Sequence, residues 1–333
     1  MTKILITGGA GFIGAHLTYK LGSNKKNKIM VVDMLLDKGG ISYLNPKNKF
    51  IKGNITNKNV LKKIEKWKPD VIYHLAAQSG SEGAYDNPKE DLLTNAYGTY
   101  LLANIAKKIR CKKFIYTSTV AVYGSNEKII NEKTKIQPDS IYGISKYTGE
   151  LFLRQALTNT SIKTYIFRVF NTYGPGENLN NLKKGMVSIF CSYVWKNNPI
   201  TVKGSLNRYR NFTYIDDCAE ILAKSLNNKR LKKFEILNLT SEKKVEVKIL
   251  IKQILKVKGL KNYKIKVTKN TPGDSFGFHA NNKYLRKKFP TFKFSNLSFG
   301  LKNYFEWINS LPKTSSLKNY HPFSYVKNKK NKR

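Results

Sequence analysis

The first half of the chain alternates short, continuously apolar runs with longer amphipathic stretches. Ile4–Thr7, Ile29–Asp33, Lys49–Gly53, Val71–Leu75 and Phe114–Ser118 read as buried strands. Phe12–Leu21, Asn59–Trp67 and Asp91–Ile109 carry helical periodicity between them. Strands without polar alternation are buried on both faces, and helices between them act as crossovers. Together these features predict an α/β chain with a doubly wound parallel sheet. Tyr142–Leu157 predicts a further helix and Lys163–Val169 a further strand. Beyond Gly174-Pro175-Gly176 the pattern loosens. Met186–Trp195 reads as a helix, and Ile200–Lys203 and Asn211–Ile215 as strands. Asp216 stands where an N-cap would start a helix running to Leu226. Val245–Val257, Lys264–Thr268 and Leu297–Asn309 complete a smaller mixed α/β region.

The first strand runs into Thr7-Gly8-Gly9-Ala10-Gly11-Phe12-Ile13-Gly14. Gly8, Gly11 and Gly14 permit a tight turn, let backbone N–H groups approach a pyrophosphate, and let helix and strand pack closely. Glycine spacing alone is weak, but a strand before it and a helix after it supply the confirming context. The next strand ends in Asp33, 19 residues after Gly14. A carboxylate there accepts hydrogen bonds from an adenosine ribose and repels a 2′-phosphate, which favours NAD over NADP. The sheet is therefore expected to be Rossmann-type.

Composition changes the picture little. A chain of 333 residues implies about two domains. The formal net charge of +40 suggests a polyanion binder at first sight. Yet only eight of the 61 basic residues are Arg, the side chain that reads phosphate and guanine bidentately. The 53 Lys are spread along the chain beside abundant Asn and Ile, as in a general compositional bias. No nucleic-acid role is expected. Cys111, Cys191 and Cys218 are far apart, and His16, His74, His279 and His321 show no ligand spacing, so no metal is expected. No apolar run approaches a membrane span, and the N-terminal segment is too short for a signal-peptide core. The expectation is a cytoplasmic protein without a membrane partner.

Tyr142-Gly143-Ile144-Ser145-Lys146 places a phenol and an ammonium one helical turn apart. A nearby cation lowers a phenol pKa, which suits a general base. With 20 Tyr and 53 Lys the Y-x-x-x-K pattern is cheap, and it occurs five times, at Tyr43, Tyr85, Tyr142, Tyr284 and Tyr325. Only Tyr142 follows, 20–25 residues on, a strand ending in hydroxyls, Thr117-Ser118-Thr119. In a parallel sheet such strand ends face the ligand crevice.

With these motifs the chain resembles the extended short-chain dehydrogenase/reductase family, in its nucleotide-sugar epimerase/dehydratase branch. His74-Leu75-Ala76-Ala77-Gln78, Asn95-Ala96-Tyr97-Gly98-Thr99, Arg168-Val169-Phe170-Asn171 and Arg210-Asn211-Phe212-Thr213-Tyr214 extend the likeness over roughly residues 1–310. The resemblance implies an NAD-binding Rossmann domain over 1–170, with part of 211–240 returning to it. It also implies a substrate region over 171–310, with 311–333 as a basic tail. Tyr142 would be the base, Lys146 its partner and ribose ligand, and Thr119 the hydroxyl aligning the sugar, with Ser118 as its fallback. Cofactor contacts would come from Gly8, Gly11, Phe12, Ile13, Gly14, Asp33, Asn54, Ile55, Leu75, Ala76, Ala77 and Asn95. Gln78, Thr119, Asn171, Arg210, Asp274 and Phe278 would meet the nucleotide sugar, Arg210 at its diphosphate. A homodimer through paired helices is also implied.

The reaction turns on Val120 and Ala121. Dehydratases of this branch carry Asp-Glu after the catalytic Thr, and decarboxylases a Glu in this stretch, whereas valine and alanine transfer no proton. The implied reaction is therefore C4 epimerisation of a UDP-hexose, and Phe278 favours a UDP-glucose/UDP-galactose pair by disfavouring an N-acetyl group. A deoxysugar dehydratase or reductase is the alternative, and a non-catalytic polyanion- or NAD-binding protein a remote one. Asn270-Thr271-Pro272-Gly273-Asp274 lacks the Arg that often precedes Pro-Gly-Asp in this branch.

Overall fold

The computed structural model describes residues 1–35, 47–125, 129–269 and 275–311. Six strands of the first half, β1 (Thr2–Thr7), β2 (Asn27–Asp33), β3 (Lys49–Lys52), β4 (Val71–His74), β5 (Lys113–Thr119) and β6 (Lys163–Val169), pair in parallel. The strand Phe234–Leu239 returns from the second half and pairs in parallel with β6. The seven-stranded order is Phe234–Leu239, β6, β5, β4, β1, β2, β3. The chain winds outward from β1 through β2 and β3, then crosses back to β4. The crevice between β1 and β4 is the switch point where such sheets bind ligands.

Alternation along each strand divides the core into two layers. Ile4, Ile6, Val31, Tyr73, Ile115 and Phe167 face the helices Phe12–Gly22 and Ile215–Ser225, which contribute Leu17, Leu21, Cys218 and Leu222. Leu5, Met30, Ile72, Phe114, Tyr116 and Ile166 face the helices Lys58–Trp67, Gly98–Lys108 and Ile141–Leu157. This is why the strands read as continuous apolar runs.

The smaller region packs the helices Met186–Trp195, Val247–Lys258 and Leu297–Asn309 around Phe190, Leu250, Tyr304 and Trp307. Ile200–Lys203 pairs with Ile265–Thr268, and Tyr209–Asn211 with Lys244–Glu246.

Two local expectations change. The stretch Asp91–Ile109 is not one regular helix. A short turn, Pro88–Asp91, passes into a π-helical segment, Leu92–Tyr97, before the α-helix Gly98–Lys108. Asp216 is not an N-cap, because Tyr214 holds that position without a side-chain cap. Asp216 sits in the first turn, where the helix dipole favours a carboxylate, and meets His16 Nδ1 at 3.2 Å. That contact ties the two helices on one sheet face together.

Candidate functional site

A cavity of about 850 Å³ opens at the C-terminal ends of β1, β2, β4, β5 and β6. Its floor is the glycine turn. Gly8 has φ +69°, and a Cβ there would lie 2.6 Å from the Ala76 backbone nitrogen. A Cβ on Gly14 would lie 2.0 Å from the Gly8 carbonyl oxygen. Backbone packs on backbone, leaving a cradle that any larger side chain would fill. The helix Phe12–Gly22 begins here with Gly11 as an N-cap that makes no side-chain hydrogen bond. Its unsatisfied N–H groups suit an anion.

Asp33 borders the same space. Its Oδ2 accepts from Ala10 N at 3.0 Å and its Oδ1 from Leu35 N at 2.8 Å. Each oxygen keeps a lone pair for a ligand hydroxyl. Asn54 and Ile55 close the far wall, and Asn54 Oδ1 accepts from both Thr56 N and Thr56 Oγ1 at 2.9 Å. Leu75, Ala76 and Ala77 line the opposite side, with Ala76 N held by Thr7 Oγ1 at 3.3 Å. A glycine cradle, a helix N-terminus and a strand-end carboxylate fit a dinucleotide with an unphosphorylated ribose.

Tyr142, Lys146 and Thr119 meet at the cavity wall. Ser140 caps the helix Ile141–Leu157 by accepting from Gly143 N at 3.1 Å, so the Tyr142 turn faces inward at the helix start. Burial pushes the Tyr142 phenol up to about 12, opposed by the Thr119 hydroxyl and reinforced by the Asp91 charge. Lys146 is 1% exposed, with its ammonium 4.2 Å above the Tyr116 ring. Burial draws it down to about 7, while Glu150 and Asp91 pull it back up. Burial, not the neighbouring ammonium, therefore dominates the phenol of Tyr142.

His74 is packing. Its two ring nitrogens meet Thr7 Oγ1 at 2.8 Å and Thr99 Oγ1 at 2.9 Å, and burial holds it well below the usual imidazole range.

The remaining expected residues do not all reach the cavity. Gln78 and Asn171 reach the cavity; Gln78 Nε2 donates to Gly83 O at 3.0 Å and Asn171 Nδ2 to Asn211 O at 3.3 Å. Asn95 stands behind the wall instead. Its Nδ2 donates to Asp91 Oδ1 at 2.8 Å, Gln78 O at 3.0 Å and Ser145 Oγ at 3.0 Å, so it braces the site from within. Ser118 borders the cavity, but its hydroxyl turns to Glu150 Oε1 at 2.5 Å, away from the role of a fallback for Thr119. Glu150 is also gripped by the Arg168 fork at 3.0 and 2.6 Å, so this hydroxyl belongs to a buried ion pair.

Arg210 and Phe278 are not brought to the cavity wall. Arg210 is 3% exposed and donates to Tyr209 O at 2.8 Å, Phe276 O at 3.0 Å and Ser275 O at 2.7 Å. Its guanidinium lies 5.1 Å above the Phe278 ring. Backbone carbonyls thus occupy the fork expected at a diphosphate. Asp274 lies outside the described residues.

Three side chains enter that sequence reasoning missed. Lys184 borders the cavity, its Nζ donating to Ser79 Oγ at 2.8 Å; nothing separates it from the other 52 lysines in the sequence. Glu177 also borders it, and burial pushes its carboxyl up to about 8 against Lys184, Ser188 and Tyr304. Asp91 is buried beside the Tyr142 turn. No sequence signal marks it, because an acidic residue in a helical run reads as solvated. Among the described residues there is no group of three His, Cys, Asp or Glu that could hold a metal ion, and no helix long and apolar enough to cross a membrane. All three cysteines are free and buried.

The sequence matches the family model described as the NAD dependent epimerase/dehydratase family over residues 4–240. A putative UDP-glucose 4-epimerase of Methanocaldococcus jannaschii is 33% identical over 246 residues, covering 73% of this chain and 78% of that protein. Human dTDP-D-glucose 4,6-dehydratase is 31% identical over 263 residues, covering 77% of this chain and 73% of that protein. The crystal structure of a UDP-glucose 4-epimerase with UDP-glucose from Thermotoga maritima superimposes with a TM-score of 0.86 at 27% identity. It covers 92% of this chain and 98% of that one.

Proposed function

Because the chain belongs to the NAD-dependent epimerase/dehydratase family, we propose that it inverts C4 of a UDP-hexose of the glucose/galactose type. Tyr142 takes the proton from the C4 hydroxyl, and Thr119 holds the same oxygen in line. Lys146 binds the nicotinamide ribose and supplies positive charge where the phenol loses its proton. NAD, which Gly8, Gly14, Asp33 and the Leu75-Ala76-Ala77 wall would hold, would supply reversible redox chemistry at C4. The 4-keto sugar turns over in the cavity, and Tyr142 returns the proton to the opposite epimer. Gln78 and Asn171 orient the sugar, and Lys184 meets the diphosphate in place of the engaged Arg210.

One observation carries the choice of reaction: Val120 lines the wall directly after Thr119 and Ala121 follows it in the chain, and neither can give or take a proton. Loss of water across C5–C6 needs an acid and a base there; epimerisation needs neither. A 4,6-dehydratase is the second reading, and the raised carboxyl of Glu177 is what favours it.

A homodimer is also proposed. Leu92, Leu93, Tyr97 and Tyr100 are exposed on one helical run, Ile144 and Leu151 on another, and Tyr100 bridges the two runs by packing 5.3 Å from Phe152. Such a contiguous apolar face is suited to meet its own copy across a twofold axis.

Incubation of the purified protein with UDP-glucose or UDP-galactose, without added NAD, tests the function. Proton NMR of the anomeric region should show both sugars relaxing to one mixture from either side. A 4-keto-6-deoxy product, or stoichiometric NADH, would overturn the reading.

A further inference from the structure

Asp91 ends the short turn Pro88–Asp91, directly before the π-helical segment, and is 0% exposed. Its Oδ1 accepts from Asn95 Nδ2 at 2.8 Å and from Ser145 Oγ at 3.2 Å. Its Oδ2 is buried and makes no hydrogen bond among the described residues, although the Gln78 amide faces the same carboxyl. A carboxylate oxygen removed from water in this way is costly unless a positive charge answers it. Ser145 lies between Tyr142 and Lys146 in sequence and also bonds Tyr142 O at 3.0 Å, so Asp91 sits under the turn that carries both.

The charge that answers Asp91 is Lys146. Lys146 is faced by Glu150 from its own helix, by the Tyr116 ring from β5, by His74 from β4, and by Asp91 across the helix packing. His74 is held neutral by burial, and the Glu150 charge is already matched by the Arg168 fork. Asp91 makes no ion pair of its own in direct contact among the described residues, and its charge acts both on Lys146 and on the Tyr142 phenol.

We propose that Asp91 is a counter-charge that, beside Glu150, keeps Lys146 protonated at working pH, a positioning residue for the Tyr142–Lys146 pair. The assignment rests on the reading of that pair as the catalytic one. The sign is fixed by electrostatics. Burial disfavours the ammonium and draws Lys146 down to about 7; a negative neighbour raises it again. Asp91 is itself pushed up to about 6 by burial, so it is ionised in the range where Lys146 titrates.

The test is a pH titration of the full chain, labelled with ¹³C at the lysine ε-carbons and loaded with NAD. One lysine signal should titrate far below the rest, and it should vanish in Lys146→Met. Asp91→Asn keeps the size and the Oδ1 acceptor but removes the charge. It should lower the Lys146 midpoint by roughly one pH unit, the lower end for a nearby opposite charge, and the alkaline limb of kcat should move down with it. Ser145→Ala removes a hydrogen bond without removing charge and should move the midpoint far less. An unchanged midpoint in Asp91→Asn, or an equal shift in Ser145→Ala, overturns the proposal. If Asp91→Asn does not fold, the unsubstituted protein decides: its Lys146 signal should show a second, smaller inflection near pH 6 as Asp91 ionises, and a single inflection overturns the proposal. None of these titrations depends on which sugar is turned over. Their failure would remove Asp91 without touching the epimerase reading, and absence of turnover would remove that reading without touching Asp91.

Discussion

Tyr142→Phe should lower kcat by about 10³-fold or more, within the range that a positioned acid–base group supplies, while NAD stays bound. The substitution removes one oxygen from a half-buried ring and leaves its packing in place. The cofactor cradle is built elsewhere, from Gly8, Gly14, Asp33 and the Leu75-Ala76-Ala77 wall. Turnover and cofactor content therefore separate. Steady-state rates measure the first, and the absorbance of nucleotide released on denaturation measures the second. Activity within tenfold of the unsubstituted protein would show that another group moves the C4 proton. Loss of NAD together with activity would show that the phenol holds the cofactor instead.

Arg168→Met should be the most damaging single change to stability outside the glycine turn. Arg168 and Glu150 are each 3% exposed. The guanidinium donates to both carboxylate oxygens and to Tyr123 Oη at 2.9 Å, and Tyr123 in turn donates to Asn238 Oδ1 at 2.7 Å. Methionine fills the volume but leaves a carboxylate buried with only the Ser118 hydroxyl to answer it. Breaking one side of such a pair costs about 3–5 kcal/mol. At about 2–4 °C per kcal/mol, the scale for chains somewhat shorter than this one, Tm should fall by about 10 °C. The double variant Arg168→Met/Glu150→Gln should recover part of that loss, because it removes the stranded charge. A fall of less than about 1 kcal/mol in the single variant, the level of an exposed pair, would show that water reaches Glu150.

These two predictions rest on features that were unequally visible in the sequence. The sheet was readable because its strands are buried on both faces, and Ile4, Leu5 and Ile6 point alternately into two apolar layers. The glycine turn was readable because only glycine survives where backbone meets backbone. Tyr142 was readable only through the place of its turn after β5, since lysine abundance made its pattern cheap. What sequence could not supply was the direction of side chains whose partners are remote in the chain. Ser118 turns to Glu150, 32 residues on, and Arg210 turns to carbonyls 65 and 66 residues on. Each looked like a ligand of the cavity by position and became part of the scaffold by hydrogen bonding. Asp91 was hidden for a related reason. An acidic residue in a helical run reads as solvated, and only the helix packing around Ser145 buries it beside Lys146. The π-helical segment after it breaks the regular periodicity on which such reading depends.

The central claim is that one carbon, C4, is oxidised and reduced without bond changes at C5 or C6. Turnover of UDP-galactose in ²H₂O, followed by mass and proton spectra of the recovered nucleotide sugar, tests it most directly. The account predicts UDP-glucose of unchanged mass with no solvent deuterium on any carbon, because the same hydrogen leaves C4 and returns to it. A product lighter by one water that carries deuterium at C5 would contradict it, and would mean that a carboxyl such as Glu177 does the work that Val120 and Ala121 cannot.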